Sequence, residues 1–411
     1  MASEMALAAE EVHIPRSVGV LPHDWRWSSL GSVCKGVFDC PHSTPKLTET
    51  GPFVVRTQDI TSGILRLDST ARVSSATYAE RIKRAEPIHG DLLYSREGTY
   101  FGIAAEVPRN VQVCLGQRMV LIRPDSQAVH YRFLRYWLNS PTMSAHIHGY
   151  RDGSVAERLN LTTIRALPIL LPPIPQQLAI AGVLGALDEK IALNEQITAT
   201  SDSLIRDLFD SSLRQPEAES APLFEVFDIT FGAPFKSAEF NAEGIGRPLL
   251  RIRDLKTFEP KVWTTQRHDK ELVVATGDTV AGMDAEFRPT FWMGEPALLN
   301  QRVLHVRSRI GGGSPFCREV LRAPLALVEN YKTGTTVAHL NKSDLVTLVV
   351  DIPSKDEVAS FEAATAPLHK RLVATAAENR TLAALRNTLL PQLMSGKLRV
   401  RDAEKIVEDA V

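Results

Sequence analysis

From Pro175 to Arg214 the apolar positions recur in steps of four and three. Ile180, Leu184, Leu187 and Ile191 lead into a polar middle at Asn194, Thr198 and Ser201, and Ile205 and Leu208 close the pattern. This is a heptad seam along one face of a helix. Proline is well placed at its first turn, where an N–H would have no intrahelical partner. Unbroken, ~40 residues would extend ~60 Å. A second seam runs through Val358, Phe361, Thr365, Leu368, Leu372, Thr375, Asn379, Leu382, Leu385 and Leu389. Ser354 and Glu357 stand three apart at its start, the spacing of a capping box. Gly182 and Gly185 in the first helix, and Pro367 at the matching place in the second, predict a bend or restart. Pro391 and Gly396 predict the end of the second helix.

Ahead of each helix lie short segments rich in Val, Ile and Thr and bounded by turn residues. Phe53–Arg56, Asp91–Ser95, Ile103–Val107, Gln112–Leu115, Met119–Arg123 and Leu167–Leu171 read as strands, as does Leu345–Ile352 in the second half. A helix is predicted over His130–Leu138, ended by Asn139-Ser140-Pro141. Irregular strands with few helices define an α+β class.

The two halves are related. Tyr150, Gly153, Leu159, Asn160 and Pro172 match Tyr331, Gly334, Leu340, Asn341 and Pro353, every pair 181 residues apart. Earlier blocks match with drifting offset: Leu115–Val120 with Leu299–Leu304, and Val55–Ile60 with Leu250–Leu255. A constant offset along the helices and a drifting one before them is the mark of a tandem duplication whose surface loops changed length. Two matched helices separated by a whole globular unit pair most simply as an antiparallel coiled coil, with one unit toward each end.

Composition narrows the class. With 44% hydrophobic and 23% charged residues the chain is neither disordered nor fibrous. Glu4, Glu10 and Glu11 do not suit a signal or transit peptide, and no apolar run approaches the ~18 residues of a membrane span. A cytoplasmic protein is expected. Cys34, Cys40, Cys114 and Cys317 lack metal-ligand spacing and read as thiols of a reducing compartment. No metal site is expected. Nor is a catalytic residue: phosphate-loop, nucleophile-elbow and zinc-protease motifs are all missing. Gly311-Gly312-Gly313, followed by Ser314-Pro315, reads as a hairpin tip. Gly90-Asp91 and Gly277-Asp278 read as turns.

Net charge is −1, too small for binding nucleic acid by charge alone. The basic residues are nevertheless clustered. Residues 107–135 and 301–322 each hold five Lys or Arg against one acid, and 247–270 hold seven against three. The recurring polar residues suit DNA reading: Gln117-Arg118 matches Gln301-Arg302, and arginine and glutamine make two-pronged contacts to guanine and adenine. Arg56 matches Arg251, with Arg253 beside it. Tyr150-Arg151 and Tyr331-Lys332 each precede a glycine and could form phosphate-holding loops.

Three motifs carry a family resemblance: Leu21-Pro22-His23-Asp24-Trp25; Leu171-Pro172-Pro173-Ile174-Pro175-Gln176-Gln177; and Leu389-Leu390-Pro391-Gln392-Leu393-Met394-Ser395-Gly396-Lys397. Together with the order of domains, they make the chain resemble the specificity subunit of a type I restriction-modification system. It departs at Ile352-Pro353-Ser354-Lys355, where the proline-glutamine motif is degraded, and at Pro367. The resemblance implies an N-terminal tail (1–17), a target-recognition domain (18–173), a central helical spacer (174–215), a second recognition domain (216–353), a distal helical spacer (354–396) and a C-terminal tail (397–411). Each recognition domain would read half of a gapped double-stranded DNA target. The helices would set the gap and dock two adenine-methyltransferase subunits, with a motor-nuclease subunit joining them. Ile180, Leu184, Leu187, Ile191 and Leu208 would pair with Phe361, Leu368, Leu372, Leu382 and Leu389. S-adenosylmethionine, ATP and magnesium would belong to the partner subunits, and this chain would need no cofactor. The competing reading is a coiled-coil scaffold that does not touch DNA.

Overall fold

The computed structural model describes residues 14–15, 21–149, 158–212, 219–332 and 338–410. The chain divides into two compact units, Met1–Glu189 with Ala383–Val411, and Lys190–Leu382.

The first unit is built on a four-stranded antiparallel sheet, in the order Cys34–Asp39, Met119–Pro124, Leu92–Ser95, Ala104–Glu106. Met119, Val120, Leu121 and Ile122 are all fully buried. The strand is covered on both faces, so it reads as a continuous apolar run as well as by alternation. A three-stranded sheet joins Arg72–Val73, Leu47–Val55 and Val113–Leu115, the last pair parallel. Arg26–Ser29 pairs with Pro168–Leu171 and closes the unit. The helix Tyr131–Leu138 carries Phe133, Leu134, Trp137 and Leu138 into the core. The Trp137 indole N–H donates to the Pro168 carbonyl at 2.8 Å, satisfying its one polar group.

The second unit repeats this plan, with two more strands in its second sheet. Its four-stranded antiparallel sheet runs Phe227–Phe231, Val303–Ser308, Thr279–Gly282, Pro289–Phe291. Arg247–Leu250 lies parallel to Ala297–Leu299 inside a five-stranded sheet, as Leu47–Val55 lies parallel to Val113–Leu115. Glu219–Pro222 pairs with Val349–Ile352.

Three expectations are corrected here. Leu345–Ile352 is not one strand: Lys342–Val346 is helical and only Val349–Ile352 pairs. Gly311-Gly312-Gly313 is not a hairpin tip. The three glycines, all at positive φ, join the strand Val303–Ser308 to a 20-residue helix, Gly313–Lys332. The buried spacing of Phe316, Val320, Leu321, Leu325 and Val328 marks its inner face. Within the glycine-rich turn the Gly312 N–H donates to the Glu362 carboxylate at 3.0 Å. Tyr331 and Lys332 consequently belong to the last turn of a helix.

The central helix is continuous over Ile174–Ser212 and the distal helix over Lys355–Met394. Neither restarts at Gly182, Gly185 or Pro367, and Pro391 lies inside the distal helix. Gly396, at φ +70°, follows its end. Gly185 has a different role from the expected one: a Cβ there would stand 3.3 Å from the Arg132 guanidinium, so glycine admits a close neighbour. At Ser354 the capping box is complete. The Ser354 N–H donates to Glu357 at 2.8 Å, and the Glu357 N–H donates to the Ser354 hydroxyl at 3.3 Å. Residues 400–410, within the segment read as a tail, form a further helix.

In the second unit the Asn194 amide donates to Asn379 at 2.9 Å and to Glu378 at 2.8 Å, and the Thr198 and Thr375 hydroxyls meet at 3.1 Å. One partner number rises as the other falls, so these helical segments run antiparallel. Phe209 and Phe361 meet edge to face at 5.9 Å. In the first unit Asp188 accepts from Arg386 at 2.9 Å, Arg135 at 2.9 Å and Tyr136 at 2.6 Å. Ile180, Leu184, Leu187, Phe361, Leu372, Leu382 and Leu389 are buried; Ile191, Leu208 and Leu368 are partly so.

Candidate nucleic-acid interface

One side-chain cluster occurs in both units at the same place in the fold. In the first, Glu97 stands between Arg118 (3.4 Å) and Arg158 (3.8 Å). In the second, Asp284 stands between Arg302 and His339. The supporting backbone bonds also repeat. Arg96 N–H donates to the Arg118 carbonyl at 3.0 Å, and Met283 N–H to the Arg302 carbonyl at 3.0 Å. Leu159 N–H donates to the Arg96 carbonyl at 2.9 Å, and Leu340 N–H to the Met283 carbonyl at 2.8 Å. An isolated antiparallel bridge ties Glu97 to Arg158 and Asp284 to His339. Each central arginine immediately precedes the long inner strand of its sheet and so sits at that strand's end. Arg118 takes φ +66°, a conformation uncommon for residues with a Cβ.

In the first unit a small pocket of about 210 Å³ is lined by His42, Arg96, Glu97, Gln117, Arg118 and Arg158. In the second, a larger cleft of about 1240 Å³ includes Arg253, Asp284, Phe291 and Arg318 in its wall. Arg318 lies over the Phe291 ring at 4.0 Å and is paired with Glu319 and Asp202. The Arg302 hydrogen bond, outweighing burial, holds the Asp284 carboxyl below its usual range, and the same bond raises Arg302. Both groups are therefore ionised at neutral pH.

The residues named from sequence divide into three groups. Arg118 and Arg302 belong to the repeated cluster. Arg56 and Arg251 do not; each folds back on the acid three residues along, Asp59 or Asp254, in a short-helix capping box. These arginines brace a turn around a buried carboxylate. Gln117 has its amide donor engaged by the His42 carbonyl. Gln301 and Arg253 are exposed. The expectation of a phosphate-holding loop at Tyr331-Lys332 is corrected. Tyr331 is an exposed helix residue, and Lys332 is tied to Asp344 at 2.6 Å and to the His339 carbonyl at 2.8 Å. Tyr150 and Arg151 lie outside the described residues.

The basic clusters shrink in three dimensions. Arg123 pairs with Asp91, Arg132 with Glu189, Arg135 with Asp188, Arg247 with Glu271 and Arg322 with Asp210. Acids remote in sequence neutralise them. The sequence reading missed Glu97, Arg158, Asp284 and His339. A signal existed: Glu97 and Asp284 are separated by 187 residues, as Asp91 and Asp278 are, and Arg158 and His339 by the 181 of the later repeat.

Among the described residues no group of three or more His, Cys, Asp or Glu could hold a metal ion. Burial, reinforced by Asp125, pushes the Cys34 thiol up to about 12, and the other three thiols are raised by burial too. Among the described residues no helix is long and apolar enough to cross a membrane.

The three resemblance motifs converge in the first unit. The Trp25 indole donates to Gln176 at 2.9 Å, and Gln176 donates to Asp24 at 2.7 Å. A Cβ on Gly396 would stand 2.7 Å from Pro22. Gln177, buried, accepts from the His130 N–H at 2.8 Å and donates to the Pro172 carbonyl at 2.8 Å. The paired glutamines thus tie the first strand and the Tyr131–Leu138 helix to the base of the central helix.

Residues 22–200 match the family described as the type I restriction modification DNA specificity domain. Over that segment the chain is similar to type I restriction-modification specificity subunits. It is 30% identical over 184 residues to the type I restriction enzyme EcoBI specificity subunit of Escherichia coli, a match covering 44% of this chain and 34% of that protein. It is 21% identical over 309 residues to the type I restriction enzyme MjaIX specificity subunit of Methanocaldococcus jannaschii, covering 66% of this chain and 69% of that one. The chain thus spans about a third of the length of the Escherichia coli relative. A crystal structure of a type I restriction-modification system S subunit from M. genitalium shares the fold. It has a TM-score of 0.59 and 15% identity, over 92% of this chain and 96% of that one.

Proposed function

We propose that this chain is the DNA sequence-specificity subunit of a type I restriction-modification complex, each unit reading one half of a gapped target. The observation that carries the reading is the duplicated cluster, Glu97–Arg118–Arg158 and Asp284–Arg302–His339. Two equivalent clusters on one chain, each holding an arginine against a carboxylate, suit a ligand with two related sites. Recognition domains at 18–173 and 216–353 would be spaced by an antiparallel coiled coil of the helical segments 174–215 and 354–396. Its seam is the buried apolar series and its polar middle Asn194, Thr198, Thr375 and Asn379. Arg118, Arg302, Arg253 and Gln301 are the candidate DNA contacts. Two adenine-methyltransferase subunits would dock along the helices, and a motor-nuclease subunit would join them. S-adenosylmethionine, ATP and magnesium would act on those partners. This chain would be non-catalytic and cytoplasmic.

The pairing of many basic side chains with acids favours a second reading, a scaffold that binds only proteins. Genome-wide adenine methylation, mapped in the source cell with and without this gene, separates the two. Loss of one gapped two-part motif is the result expected of a specificity subunit. An unchanged pattern in cells that methylate adenine would support the scaffold.

A further inference from the structure

Arg302 does not dangle. Its Nε donates to Asp284 Oδ2 at 2.6 Å and its Nη2 donates to Asp284 Oδ1, so one edge of the guanidinium is held flat against a carboxylate. The His339 ring Nδ1 stands 2.5 Å from Asp284 Oδ1 and 3.0 Å from Arg302 Nη2. A ring nitrogen that close to a carboxylate carries the hydrogen and donates it. Nδ1 is then no acceptor for Arg302, and the outward hydrogen of Nη2 stays unspent. Nη1 has no hydrogen-bond partner among the described residues. What remains is a two-donor edge, Nη1 and Nη2, aimed away from the carboxylate by a side chain that has already lost its rotational freedom. The side chain is 38% exposed, enough to meet a ligand, and Asp284 is 23% exposed, enough to be shielded from water by that ligand.

A flat pair of N–H donors matches the two acceptors, O6 and N7, that guanine alone shows in the major groove. A free arginine would pay its rotamer entropy on binding; a braced one has paid part of it in folding. A phosphate would accept the same fork but would carry no base preference, which is what the test below reads.

We infer that Arg302 reads a guanine in the half-site recognised by the second unit, with Asp284 and His339 as the residues that position it. The inference rests on the proposed function and adds to it the base and the reading edge. Arg118 is the looser counterpart, with one Nε contact to Glu97 at 3.4 Å and a side chain 59% exposed. Its discrimination is weaker.

The test is adenine-methylation mapping in the source cell carrying, in place of the native gene, Arg302→Gln, Arg302→Lys or Asp284→Asn. The native chain should yield a half-site with a G·C pair that degenerates in Arg302→Gln, by roughly 5- to 150-fold in preference. Asp284→Asn should relax the same position less, leaving all other positions intact. Arg302→Lys keeps the charge but not the planar fork, so it too should lose the guanine preference. The half-site read by the first unit is the internal control for folding, since it should persist in every variant. The inference is overturned if the half-site read by the second unit lacks a G·C pair in the native motif. It is equally overturned if Arg302→Lys retains the full motif, or if Arg302→Gln lowers methylation at all sites uniformly. Absence of any gapped motif dependent on the native gene would instead sink the proposed function beneath it.

Discussion

Asn194 and Asn379 hydrogen-bond side chain to side chain at 2.9 Å in the polar middle of an otherwise apolar seam. Asn194 is fully buried, and its Oδ1 has no partner among the described residues. Such a pair costs stability and sets register, since sliding either helix would bury an amide against apolar side chains.

Asn194→Ala, which strands the Asn379 carbonyl and leaves Glu378 to Lys190 alone, should cost about 1–3 kcal/mol in denaturant unfolding. Replacing both asparagines by leucine should be neutral or stabilising, because no polar group is then left unpaired. A double variant less stable than either single one would contradict this account.

Asp188 gathers Arg135, Tyr136 and Arg386. Burial raises its pKa, but the Tyr136 and Arg386 hydrogen bonds and the two cations outweigh burial and hold it below the usual range. Its stabilising contribution is therefore complete above the unfolded carboxylate pKa and lost as pH falls through the lowered folded value. Asp188→Asn should cost about 3 kcal/mol at neutral pH, since Arg135 stays buried without its counter-charge. The difference from the native chain should shrink as the pH is lowered, which thermal unfolding across an acid series would measure.

Gln177 meets three backbone groups with one buried amide. Gln177→Leu keeps the bulk and strands them, at an expected cost of about 2 kcal/mol. Gln176, half-buried between Trp25 and Asp24, should matter less. Equal losses from Gln176→Leu and Gln177→Leu would show that the motif works otherwise.

Arg251 braces Asp254, which is 2% exposed. Arg251→Ala should lower stability by about 1–2 kcal/mol through the unpaired acid while leaving any methylation motif unchanged. A changed motif would return Arg251 to the DNA contacts.

Much of the fold was legible because periodic burial leaves a periodic sequence. The seam residues Leu184, Leu187, Leu372 and Leu389 are buried where heptad spacing placed them. Strands such as Leu92–Ser95 and Pro168–Leu171 lie within a residue of their expected bounds. The helix Gly313–Lys332 was lost because three glycines and a proline at its start outweighed the amphipathic run beyond them. Pro367 and Gly185 misled for a related reason: local helix-breaking tendency yields when both sides of the break are packed.

The site was half legible. Arg118 and Arg302 stand out because a duplicated chain repeats them, while Arg56 and Arg251 repeat equally well and each brace a turn. Repetition shows that a side chain was kept, and burial and partners show what for. The sequence alone determined the duplication, the α+β class, the two seams and the family resemblance, since these depend on spacing along the chain. Which acids neutralise which bases, and which arginine edge stays open, was decided by tertiary structure. Charges tens of residues apart meet only after the backbone closes, and electrostatic energy depends on distance through space.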